Sequence, residues 1–186
     1  MDETILPDDF IDVIGEVIDW LYTGELQPVP HFSGDDRTAI SGYCAVTSQI
    51  TNLYIFGDGY EFTQLRNDAI KKFHALHYGW NDRASSEVAL VLNHTEVIGN
   101  AFEHLPEKSL FCQYLVDMYA HIFGSMMNDP RERGDSTGDI FERILGKLPA
   151  CFLAHVMAKL ISKPTTGPWR RQRSFWTDEL PCAYLE

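Results

Sequence analysis

Residues 10–24 read FIDVIGEVIDWLYTG, and the fold turns on this stretch. Phe10, Ile14, Val17 and Leu21 recur at three- and four-residue spacing, so they share one face of a helix. Ile11, Ile18 and Tyr22 widen that face beyond what a single partner helix covers. Gly24 stands where a helix C-cap needs a residue that tolerates the left-handed conformation. A helix that is apolar over so much of its circumference is expected to lie at the centre of a core, buried on several sides.

Outward from that helix, the 186 residues hold enough apolar side chains (45%) for a sizeable core. No run approaches the roughly 18 uncharged apolar residues of a membrane helix. The acidic start, MDETILPDDF, lacks the basic region of a secretory signal. Cys44, Cys112, Cys151 and Cys182 are far apart and follow no pairing pattern, so they read as reduced thiols of an intracellular protein, in cytoplasm or nucleus. The net charge of −12 is uneven. Residues 1–61 hold 12 acids and one base, Arg37, whereas residues 62–186 hold 15 acids and 14 bases. Such a front third repels nucleic acid and anionic lipid, and either keeps the chain soluble or faces a basic protein surface.

Helical periodicity continues along the chain. Residues 25–42 carry Pro28, Pro30, Gly34 and Gly42 and read as a loop. A second helix is predicted over 44–56, with Ile50, Leu53, Tyr54 and Phe56 near one face and Gly57-Asp58-Gly59 ending it. A third starts near Thr63, carries Leu65, Ala69, Ile70, Phe73 and Leu76 inward, and stops at Gly79. Ser85 opens a fourth, with Val97, Ile98, Ala101 and Phe102 continuing or following it until Pro106. Ser109 caps a fifth, with Leu110, Tyr114, Leu115, Met118, Tyr119 and Ile122 inward. Residues 124–139 read as a linker, and 140–161 as a last helical region broken near Pro149. Strand alternation is confined to Thr4–Leu6, too short to found a sheet. The fold class is therefore mostly α, with little or no sheet.

Five blocks, in order, resemble one family. Leu6-Pro7-Asp8-Asp9-Phe10 with Trp20-Leu21-Tyr22-Thr23-Gly24, then Leu53-Tyr54-Ile55-Phe56-Gly57-Asp58, then Leu65-Arg66-Asn67-Asp68-Ala69-Ile70, look like the helical half of a BTB/POZ domain of the filamentous-fungal type. Phe102-Glu103-His104-Leu105-Pro106-Glu107-Lys108-Ser109-Leu110 and Leu115-Val116-Asp117-Met118-Tyr119-Ala120 are similar to the helical extension of those proteins. The resemblance implies three regions: a partial BTB/POZ-like unit at 1–80, a helical extension at 84–161 and a basic, aromatic tail at 162–186. Gly57 and Gly59 depart from the family's usual Ala and Lys, so the second helix is expected to fray there. Met1 falls nine residues before Phe10, leaving no room for the strands and first helix that open a BTB domain. Those elements build the family's homodimer, so that dimer is not expected, and the first helix should expose apolar surface unless something covers it.

The function that the resemblance implies is a non-catalytic adaptor or scaffold that binds protein, with a cullin ubiquitin ligase as the partner. Trp20, Tyr22, Phe56, Tyr60 and Phe62 are the residues expected to pack or to meet that partner; for large aromatics, packing comes first. No nucleophile is paired with a base, and no G-x-S-x-G, phosphate-binding loop or H-E-x-x-H occurs, so no catalytic residue and no cofactor is assigned. Cys151 and His155 share a helix face but lack the further ligands of a structural zinc, so no metal is assigned either. His74 and His77 flank an apolar stripe and read as rim residues. The tail Trp169-Arg170-Arg171-Gln172-Arg173-Ser174-Phe175-Trp176 supports an alternative, a nucleic-acid-associated regulator acting through Arg170, Arg171 and Arg173. Against it, three arginines neutralise few phosphates and can equally fold back on the acidic front third.

Overall fold

The computed structural model describes residues 11–28, 37–81, 94–128, 142, 145–162 and 182–186. Among the described residues six helices follow one another: α1 (Ile11–Thr23), α2 (Arg37–Gly59), α3 (Thr63–Asn81), α4 (Thr95–His104), α5 (Leu110–Asn128) and α6 (Ala150–Ser162). A 3₁₀ turn at Cys182–Tyr184 closes the order. The protein is mostly α-helical, as expected, and no strand occurs among the described residues.

The antiparallel pair α2–α3 is the most extensive contact, α4 lies on α2 and on α5, and α6 covers α5. Ile50, Leu53 and Tyr54 of α2 meet Leu65, Ala69, Ile70 and Phe73 of α3, all buried as their periodicity requires. Rings carry this core into the second half of the chain. Tyr54 stacks on Phe111 at 4.9 Å, Phe73 stands edge-on to Phe111 at 5.1 Å, and Tyr119 meets Phe152 of α6 edge-on at 5.4 Å. Thr47 and Thr51 lie buried in α2 because each hydroxyl donates to a carbonyl one turn back, Tyr43 O at 3.1 Å and Thr47 O at 2.8 Å. Ser109 caps α5 as predicted, accepting from Cys112 N at 3.2 Å.

Several boundaries differ from expectation. α2 begins at Arg37, so part of the predicted loop is helix and Gly42 lies inside it; tertiary packing of the next residue, fully buried Tyr43, overrides the roughly 1 kcal/mol that an interior glycine costs. α3 passes through Gly79 to Asn81, and α5 runs on to Asn128, into the predicted linker. α2 does not fray at its glycines. Its end is locked by Phe62 N donating to Gly57 O at 2.7 Å and Glu61 N to Asp58 O at 3.2 Å, with Glu61 itself at φ +57°. That bond pair is a Schellman motif, so a glutamate occupies the left-handed position that glycine usually fills. Gly57 serves a different purpose. A Cβ there would meet Arg66 Cγ at 3.0 Å, so glycine lets the start of α3 close onto the end of α2. The Thr4–Leu6 alternation and the segment opened by Ser85 lie outside the described residues.

Candidate interaction surface

α1 is apolar on both sides, and only one side is covered. Val13, Val17 and Trp20 are buried, together with Glu16, at the spacing of one helix face. Polar links fasten this face to α3: Lys72 Nζ donates to Glu16 Oε1 at 2.6 Å, and Trp20 Nε1 donates to Asp68 Oδ2 at 3.0 Å. At its end Gly24, at φ +73°, donates to Trp20 O at 2.7 Å, the C-cap that the sequence indicates. The expected burial on several sides fails on the outer face. Ile18, Leu21 and Tyr22 are 46%, 59% and 88% exposed. The described chain places no element over them.

Beside Trp20, the α2–α3 corner gathers aromatic rings. Phe56 and Tyr60 are 4.5 Å apart, Tyr60 and Phe62 stack at 6.3 Å, and Phe62 lies 6.4 Å from Trp20. Tyr60 and Phe62 are 45% and 37% exposed. The structure therefore brings together four of the five aromatics singled out from sequence. Phe56 is half-buried and Trp20 buried, so these two pack; Tyr60, Phe62 and the separate Tyr22 face outward.

A second cluster lies in the core, and sequence reading missed it. His74 and His77 are fully buried, not rim residues, because α3 turns that edge onto His94 and onto Tyr114 of α5. His77 Nδ1 is 2.7 Å from Phe73 O, and a carbonyl only accepts, so Nδ1 carries the proton. A neutral His77 then offers its Nε2 lone pair to His94 Nε2–H at 3.0 Å, while Tyr43 OH stands 3.1 Å from the same nitrogen. His74 Nδ1 lies 3.0 Å from Tyr114 OH. Burial pulls His77 down to about 3 and His94 well below the ordinary imidazole value. Among the described residues the cluster holds no carboxylate, and its geometry organises a core.

The remaining predicted residues fall apart in space or out of view. His155 stands over a groove of about 420 Å³ between α5 and α6, with Glu107 Oε2 3.8 Å from its Nε2. Cys151 and His155 are part-buried, and no group of three His, Cys, Asp or Glu side chains placed to hold a metal occurs among the described residues. Arg170, Arg171 and Arg173 lie outside the described residues. Among those described, no helix is long and apolar enough to cross a membrane. No family model, no curated protein and no solved structure matches this chain. Function is therefore read from the fold and surface of the chain itself.

Proposed function

We propose that this chain is a non-catalytic protein–protein interaction module, an adaptor or scaffold of the BTB/POZ kind. One observation carries the reading: Ile18, Leu21 and Tyr22 form an exposed apolar row on a helix whose opposite side is anchored by a buried ion pair. Large apolar side chains grouped in solvent mark binding surfaces, and aromatic anchors dominate binding energy. Tyr60 and Phe62 extend the aromatic surface near the α1–α3 junction. The order of the BTB-like sequence blocks makes a cullin scaffold the first partner to test.

The test uses purified full chain and a purified cullin scaffold in a direct binding assay. The double variant Leu21→Lys, Tyr22→Lys should keep the wild-type denaturation midpoint and weaken binding by about tenfold or more. Wild-type chain that shows no cullin binding at tens of micromolar removes the cullin reading. A double variant that binds as tightly as wild type removes this surface.

A further inference from the structure

Residues 182–186 lie against α3 and α5 as a docked peptide does. Glu186 is read through its backbone by a single side chain: Asn67 Oδ1 accepts from Glu186 N at 3.0 Å, and Asn67 Nδ2 donates to Glu186 O at 3.2 Å. A side-chain amide that pairs with both backbone groups of one residue recognises extended chain whatever its sequence. The Glu186 carboxylate meets the Arg66 guanidinium, which also donates to Asp58 at 2.8 Å. Two residues earlier, Tyr184 donates from its hydroxyl to Asp117 Oδ2 at 2.8 Å and stands edge-on to Tyr114 at 5.3 Å. Leu185 packs on the core. Asp117 is itself held by Lys159 of α6 at 2.6 Å, so both ends of the seat are fixed by groups other than the segment.

We propose that this seat is a receptor for a short peptide of a partner protein carrying a tyrosine two residues before a carboxylate, and that Tyr184–Glu186 is a tethered copy of that ligand. Three features of the seat define the ligand: an acceptor for a phenol hydroxyl, an apolar contact and an arginine beside a backbone-reading amide. Nineteen residues, 163–181, separate the segment from α6. A segment on the same chain competes intramolecularly with a free peptide, so it holds a weak ligand in place and lets a stronger one displace it. The proposal is independent of the α1 surface, which lies on different residues.

The probe is a synthetic peptide of residues 180–186, acetylated, amidated and with Ser at the cysteine position, added to full chain. Glu186→Ala empties one anchor without touching the core, and Glu186→Ala with Tyr184→Ala empties both. The peptide should bind the emptied chains about tenfold or more tighter than wild type, whose own segment competes. Asn67→Ala placed in the Glu186→Ala chain should weaken it again by about tenfold, since a backbone-reading amide is lost. If the double variant does not fold, Glu186→Ala alone decides, because its carboxylate sits at the surface. No binding to either emptied chain at about 1 mM overturns the proposal, as does equal binding to wild type and emptied chain. A wild-type dimer that dissolves on Glu186→Ala also overturns it, by assigning the seat to a second copy.

Discussion

α1 and α5 are both rich in apolar residues, yet they live in opposite surroundings. α5 buries Phe111, Cys112, Tyr114, Leu115, Val116, Met118, Tyr119, Ala120, Ile122 and Phe123, wrapped by α4, α6 and the aromatic seam from α2 and α3. Among its described apolar side chains, α1 buries Val13, Val17 and Trp20 and turns Ile18, Leu21 and Tyr22 outward. Composition therefore gives what a helix is able to cover, and topology gives what is covered. The surplus on α1 is where a partner would find area to bury.

The comparison breaks most sharply at the centre of α5. Phe111→Ala removes the ring that both Tyr54 and Phe73 contact, and should cost about 3–5 kcal/mol in urea unfolding. The next effect strikes the anchored side of α1. Lys72→Met leaves Glu16 buried without its partner and should cost about 3 kcal/mol, with a red shift of Trp20 fluorescence as the helix loosens. An unchanged midpoint would show that α1 is seated by its apolar face alone.

Acid should sharpen the contrast, since the buried imidazoles lie on the α5 side. The folded chain holds His77 and His94 neutral, with His77 at about 3, while the unfolded chain takes up protons near the ordinary imidazole value of 6.5. The unfolded state thus binds more protons below that value. Stability is flat above about pH 7 and falls as pH drops through 6.5 towards 3, by up to about 1.4 kcal/mol per pH unit for each histidine. Urea midpoints at pH 7.5, 6.5 and 5.5 read this directly, and His94→Gln should halve the slope. A midpoint that stays constant down to pH 5 would contradict the buried, neutral pair. The smallest effect belongs to the outer face: Leu21→Ala should leave stability within about 0.5 kcal/mol of wild type.

Where neighbours in sequence set the outcome, the sequence was readable. The inward residues of α3 follow from period alone, as do those of α5 except Leu110, which is half-buried, and so do Gly24 and Ser109 at their helix ends. What escaped depends on distant partners. His77 and His94 lie seventeen positions apart, and nothing local distinguishes a rim histidine from one whose Nε2 meets another imidazole. The end of α2 was misplaced because glycine is the usual left-handed residue, whereas here Glu61 takes that conformation and Gly57 makes room for Arg66. Of the candidate surface, the aromatics at 56–62 were legible as a group, because Schellman geometry folds them into one corner. The outer face of α1 was legible as apolar but not as bare, since coverage depends on what the rest of the chain brings. The seat of Tyr184–Glu186 depends on Asp117 and Asn67, 67 and 119 positions away, so nothing local in the tail announces it.

Gly57 links two places that the chain keeps far apart. Its bare α-carbon lets the Arg66 stem pass, and that stem delivers one guanidinium to Asp58 and to Glu186 at once. The smallest side chain at 57 would displace the stem and slacken its grip on the final residues. Substitutions at 57 and at 186 should then act as a genetic pair: either alone frees the same hand, and together they do little more than one.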